Sequence, residues 1–311
     1  MRREDGPPVA PIAWVLNLDA EHELESGPRY APTRHLRAIV ARESRRLAGN
    51  LVAPGDRVLS LDAVEPGEAE GLVGLAWSPT PRALRSMERA GARRVEAPDV
   101  EVLRRVNARP FATEVRRALA WDGFAKDVAS SLEDALRLLA RPAELGWLVR
   151  RSFGAAGRGR RRLESGRPSQ AEVAWLAASL RRGPLVIEAW VRVTREFTRS
   201  GWVSRDGGVV VSGPCFQETT ETGSWTRTQA AGRGEVARTD DARLEEACAT
   251  AGSALAAAGY FGPFGIDAFR HRAGSREILN PLSEINARFT MDWATGMSRR
   301  PEREVDLALA T

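Results

Sequence analysis

"GIDAFRHRAGSREILNPLSEINARF", residues 265–289, sets two acids and an amide within a run of apolar residues. Gly274 and Ser275 form the glycine-first pair of a two-residue hairpin turn, which predicts Ala273 opposite Arg276. Counting outward puts Asp267 opposite Leu282 and makes Glu284 its diagonal neighbour. Strand alternation then brings Glu284 and Asn286 to the face of Asp267, where diagonal neighbours about 7–8 Å apart can share one ion. Such hard oxygen donors suit Mg²⁺, which takes one or two carboxylates together with substrate phosphates. Polar decoration of a sheet edge is the plainer reading, and Pro281 interrupts regular pairing nearby. Against it, acids set among Ile266, Phe269, Ile278, Ile285 and Phe289 are costly to bury without a cation or hydrogen-bond partners.

A second stretch, "RRSFGAAGRGRRR" at 150–162, places three glycines among arginines. Gly154, Gly157 and Gly159 leave backbone N–H groups unobstructed, as a phosphate-wrapping nest requires. The flanking segments both read as extended, so the loop closes a hairpin. Rossmann and Walker loops instead lead from a strand into a helix. A flexible hairpin tip with solvated arginines is the alternative.

The rest of the chain bounds the function. Its 311 residues predict two or three packed units, and 43% hydrophobic content with mixed charge predicts a globular protein. Lys126 is the single lysine among 46 cations, so the pI of about 10.1 reflects arginine chemistry while the net charge is only +5. Nucleic acid is therefore not an indicated partner. Cys215 and Cys248 share no metal-ligand spacing with His22, His35 or His271. No signal-peptide core or membrane-length apolar run occurs, which predicts a cytoplasmic protein without a membrane partner.

Along the chain, "IAWVL" (12–16) and "GLVGLAWSP" (71–79) read as strands alternating with helices, a small parallel α/β unit. Thr80 is placed to cap a helix that Pro81 begins. Ser169 and Glu172 have capping-box spacing. "CFQETTETGSWTRTQAA", 215–231, has the Gly, Thr and Ser content of a mobile connector, from which Trp225 and Arg227 could reach a substrate.

Loop, acidic hairpin and their order together resemble the ATP-grasp superfamily of carboxylate–amine or thiol ligases, over about residues 110–291. The resemblance implies an α/β (α+β) fold with two α+β subdomains sandwiching ATP, preceded by a Rossmann-like pre-ATP-grasp domain. The expected divisions are 1–109, 110–185 with the glycine lid, and 186–311 with the metal strands. Asp267, Glu284 and Asn286 are then expected to hold Mg²⁺, two ions in all. Ser152, Phe153, Gly154, Ala155, Ala156 and Gly157 match the lid. Glu188, Ala189, Trp190 and Val191 match the segment that offers backbone groups to adenine, and Glu196 matches a ribose contact. Arg288 follows the Glu-x-Asn pattern and would neutralise phosphate or a developing intermediate. The strand before the lid usually carries a phosphate-binding lysine; here Arg150 stands there, or Arg151 if the register slips by one. Lys126 is aligned with an earlier family lysine, with a surface lysine as the alternative.

The implied reaction joins a small-molecule or peptide carboxylate to an amine through an acylphosphate, with ADP formed. A small-molecule kinase and a noncatalytic nucleotide-binding protein are the alternatives. Replacing Glu284 by Gln is expected to abolish turnover and leave the fold largely intact. Sequence alone leaves the oligomeric state open, a homodimer included.

Overall fold

A computed structural model describes residues 11–93, 95–119, 121, 124–154, 159–164, 166–220 and 225–297. Three sheets organise them. The first is parallel, in the order β2 (Arg57–Val58), β1 (Ile12–Val15), β3 (Val73–Ala76). All eight residues of β1 and β3 are buried, as expected of a parallel sheet covered on both faces. Helices α1 (Ala20–Ser26), α2 (Arg34–Leu51) and α3 (Pro81–Arg89) complete this unit. Pro81 does occupy the first turn of α3, but the Thr80 hydroxyl makes no cap bond. Instead it donates to Glu23 Oε2 at 2.6 Å, and Glu23 Oε1 accepts the Arg82 amide at 2.8 Å. A carboxylate from a neighbouring helix thus satisfies an orphan amide at the start of α3.

Helices α4 (Val100–Asn107) and α5 (Arg109–Ala118) lead to the second sheet. That sheet is antiparallel, in the order β4 (Lys126–Ala129), β7 (Leu185–Ala189), β5 (Trp147–Arg151), β6 (Arg160–Leu163). The predicted glycine hairpin is the β5–β6 pair. Helices α6 (Leu132–Leu139) and α7 (Gln170–Leu180) bury one face of it, and α7 carries the predicted Ser169–Glu172 capping box. Position 185/186 falls at the start of β7, which pairs with both β4 and β5.

The third sheet runs β11 (Trp225–Ala230), β10 (Cys215–Thr219), β8 (Arg192–Val203), β12 (Gly262–Ala273), β13 (Arg276–Asn286), with β9 (Val209–Val211) also paired to β8. Residues 215–219 and 225–230 are therefore a paired hairpin extending the sheet rather than a bare connector. Helix α8 (Arg238–Ala257) packs on one face through Ala247, Cys248 and Ala251 against Phe264 and Ile266. After β13 the chain turns into α9 (Trp293–Gly296), where Phe289 and Trp293 join Trp14 and Trp77 of the first unit in one core. The Phe289 amide donates to Trp77 O at 3.0 Å. This docking fixes the first unit beside the predicted metal strands. Among the described residues no helix is long and apolar enough to cross a membrane.

Candidate active site

Directly paired residues in a sheet point to the same side. In the second sheet Lys126 pairs with Glu188, Glu188 with Leu148, and Val186 with Arg150, so Lys126, Glu188 and Arg150 share the face away from α6 and α7. Arg151 points the other way, to Ser179 Oγ at 3.0 Å and the Trp175 ring. Of the two arginines, Arg150 is the one that faces the cleft.

In the third sheet the two-residue turn is as predicted, with Ala273 opposite Arg276. The predicted register holds as far as Phe269 opposite Asn280 and is lost beyond that pair. Phe269 pairs with Asn280, but Asp267 pairs with Glu284, because β13 carries Pro281, Leu282 and Ser283 opposite the single Ala268. Proline has no N–H to give the ladder, and the strand bulges around it. Asp267 therefore faces Glu284 directly, not Leu282, and one row runs Cys215, Thr198, Asp267, Glu284 across four strands. Asn286 donates from Nδ2 to Asp267 Oδ2 at 3.1 Å.

The two faces meet in a chain of alternating charge. Glu284 Oε1 lies 3.1 Å from Arg109 Nη2 and Oε2 lies 2.5 Å from Arg150 Nη2. Arg150 also reaches Glu188 Oε1 at 3.4 Å, and Lys126 reaches Glu188 Oε2 at 3.3 Å. Lys126 further donates to Ser283 O, the carbonyl within the bulge. It is a buried cleft residue rather than a surface lysine.

The facing carboxylates are driven apart in acidity. Burial would raise Glu284, yet Arg109 and Arg150 outweigh it and bring its pKa down to about 2. Burial pushes Asp267 up to about 7, and the negative charges of Glu284 and Asp292 add to the rise. Asp292 accepts from Thr198 Oγ1 at 2.9 Å and Ser200 Oγ at 2.7 Å.

Sequence reasoning passed over Glu21, Arg109 and Asp292. Arg109 is buried at the start of α5 and donates to Arg151 O and Gly154 O, tying down the end of β5 and the first glycine after it. Glu21 accepts the Gly154 amide at 3.3 Å and pairs with Arg288 at 2.9 Å. Arg288 also donates to Asn286 Oδ1 at 3.0 Å and lies over the Trp77 ring. "AWSPTP" thus borders the site, as its place at a strand's C-terminal end allowed. An acid in the first turn after the first strand, and an arginine beside Pro110 at a helix start, were the available signals.

Of the other predicted residues, Ser152 donates to Pro184 O and Phe153 sits in a buried apolar core. Ala155, Ala156 and Gly157 lie outside the described residues. Ala189 and Trp190 spend their amides on Ala125 O and Gly146 O, both at 2.9 Å, so those N–H groups are not offered to a ligand. Glu196 shares the cleft face, in the row Gln217, Glu196, Phe269, Asn280, and accepts from Thr219 Oγ1 at 2.7 Å. Trp225 lies beneath the Arg46 guanidinium, whose carbon is 4.7 Å from the ring centroid.

The donor set can be tested against Mg²⁺. Among the described residues no group of three His, Cys, Asp or Glu side chains is placed to hold a metal. Two directly opposed carboxylates and an amide nevertheless match the sparse, oxygen-only protein coordination of Mg²⁺. Asp267 is a desolvated acid whose one side-chain hydrogen-bond donor among the described residues is neutral Asn286, and a cation would relieve it. The residues fit the ion, provided Arg150 yields one oxygen of Glu284.

No protein-family model matches the sequence, and no curated protein matches it significantly. Solved structures do share its fold, which is the ATP-grasp fold. D-alanyl-alanine synthetase A of Vibrio cholerae aligns at 13% identity and TM-score 0.56, over 98% of this chain and 99% of its own. A biotin carboxylase of Campylobacter jejuni aligns at 14% and 0.58, over 96% of this chain and 65% of its own. N5-carboxyaminoimidazole synthetase of Staphylococcus aureus, complexed with ADP, aligns at 11% and 0.51, over 90% and 71%. At these identities the likeness carries the fold.

Proposed function

We propose that the protein is an ADP-forming ligase that joins a carboxylate to an amine at the expense of ATP. The observation that carries this is the cleft between two sheets of an ATP-grasp fold, cationic on the lid side and oxygen-rich on the other. In this reading Arg109, Arg150 and Lys126 face the phosphates, and the lid from Ser152 through Ala155, Ala156 and Gly157 covers them. Glu188 to Val191 flank the base and Glu196 the ribose. Asp267, Glu284 and Asn286 would hold Mg²⁺, which when bound neutralises phosphate charge.

The acid's carboxylate oxygen attacks the γ-phosphorus and the bond to ADP breaks, giving an acylphosphate. The amine nitrogen then attacks the acyl carbon, phosphate leaves, and the nitrogen gives up a proton. Such chemistry needs positioning and charge neutralisation more than a protein nucleophile. Arg288, held by Glu21 and Asn286, would neutralise the transferring group in this reading. Pooled acids and amines incubated with the enzyme and MgATP test the reading: a condensation product is scored by mass together with ADP. A phosphoester product would make the protein a kinase.

A second reading draws on one observation. Both oxygens of Glu284 are engaged by guanidiniums, an arrangement that also suits a nucleotide-binding protein without turnover. No ADP release, or release independent of every added acid and amine, would favour it.

A further inference from the structure

The segment leaving β13 turns back across the acidic face of the third sheet. Gly265 makes room for it: a Cβ there would meet Thr290 Cγ2 at 2.7 Å. Two residues on, Asp292 comes down on β8, where its Oδ2 accepts from Thr198 Oγ1 at 2.9 Å and Ser200 Oγ at 2.7 Å. Thr198 pairs with Asp267, which pairs with Glu284, while Ser200 pairs with Gly265, which pairs with Asn286. Asp292 therefore stands over the β8 members of the two rows that carry the candidate Mg²⁺ donors.

The charge of this acid is unanswered within the chain. Asp292 is 4% exposed, and among the described residues its side chain has two neutral hydroxyl donors and no cationic partner. The other acids of the cleft are accounted for. Glu21 pairs with Arg288, Glu188 with Lys126 and Arg150, and Glu284 with Arg109 and Arg150. Asp267 is a metal donor and Glu196 a ribose contact in the ligase reading. Oδ1 of Asp292 accepts no hydrogen bond among the described residues, yet it is not one of the sealed, unpaired atoms of the interior, so it keeps access to solvent. A desolvated carboxylate left in this way is costly unless a cation reaches it.

We infer that Asp292 Oδ1 binds the ammonium group of the amine substrate, which makes that substrate a primary amine protonated at neutral pH. This rests on the ligase reading above. ATP and the carboxylic acid are anions, which an unpaired carboxylate repels, and the protonated amine is the one cation among the three reactants. Hydrogen bonds from a charged N–H to a carboxylate are among the strong ones, and Thr198 and Ser200 hold the other oxygen so that Oδ1 is left free to accept. An ammonium has no lone pair, so one proton passes to water before the nitrogen attacks.

Hydroxylamine, uncharged at neutral pH, is the discriminating nucleophile. The full chain with MgATP and pooled carboxylic acids is offered either pooled primary amines or hydroxylamine, and amide and hydroxamate are scored by mass together with ADP. Asp292→Asn should raise the KM for amine by roughly tenfold or more with little change in kcat, and should leave hydroxamate formation at the native level. Asparagine keeps an acceptor oxygen for both hydroxyls and removes an uncompensated charge, so the melting temperature should hold. Amide formation as in the native protein, an equal loss of amide and hydroxamate, or a lowered melting temperature would each overturn the inference and leave the ligase reading standing. Weaker Mn²⁺ binding by the variant in the presence of ATP would do the same, by making Asp292 a metal ligand. Neither product nor ADP from the native protein would remove both.

Discussion

Arg150 joins two glutamates that belong to different sheets: Nη1 lies 3.4 Å from Glu188 Oε1 and Nη2 lies 2.5 Å from Glu284 Oε2. A planar guanidinium can present separate N–H groups to two carboxylates at once, whereas an ammonium acts as a compact point charge. The arginine thus has a structural task, that of pinning the second sheet to the acidic strands of the third.

Arg150→Lys should loosen that junction. The charge is kept but one of the two bridges is lost, so we expect a destabilisation of about 1–2 kcal/mol in urea unfolding. A variant of native stability would show that the bridge contributes nothing. Divalent cation affinity measured without nucleotide, for instance with Mn²⁺ by electron paramagnetic resonance, should rise in the same variant, since Glu284 Oε2 is freed.

Glu284→Gln should abolish ADP formation, and it should also cost about 3 kcal/mol of stability. The sequence-based expectation that this isosteric change spares the fold overlooks Arg109 and Arg150, which would keep their charge and lose their common partner. Equilibrium unfolding checks the point; a loss under 0.5 kcal/mol would contradict it.

Asp267 predicts a pH dependence. Its folded pKa of about 7 exceeds its unfolded value of 3.8, so the folded state binds more protons between them. Its contribution to stability is complete at acid pH and falls away as pH rises from about 4 to about 7. Without divalent cations, Asp267→Asn should flatten that part of the stability profile, and saturating MgATP should offset the alkaline loss in the native protein. Identical profiles for variant and native protein would refute this.

Gly201 in β8 packs under Phe264, its partner in β12. An added Cβ would meet the Phe264 ring within 2.4 Å and Val210 O at 2.9 Å. Gly201→Ala should therefore destabilise by about 1–3 kcal/mol, read from the denaturation midpoint, though the site lies elsewhere in the sheet. A neutral substitution would mean that Phe264 can move aside.

Much of the fold was legible from short-range features. The Gly274–Ser275 turn, the Ser169–Glu172 capping box, the glycine hairpin and the alternating first unit depend on the conformational preferences of adjacent residues. Even the candidate oxygen donors Asp267 and Asn286 were found by counting along strands, and they do meet. The count failed at Pro281, where whether a strand bulges or ends depends on its neighbours as well as on the proline. Likewise 215–231 has the composition of a loop, yet β8 offers an edge on which it can pair.

What only the tertiary structure decided is how the charges are shared. Glu21 lies 267 positions from its partner Arg288, and Glu284 lies 134 from Arg150, so no local pattern links them. The sequence by itself determined the glycine hairpin and the acidic strands, because turns and strand periodicity are set by neighbouring backbone sterics, but it did not mark Glu21, Arg109 or Asp292. Which cation neutralises which acid, and hence that Glu284 is strongly acidic while Asp267 is not, follows from the distance and burial that arise only when the sheets close together.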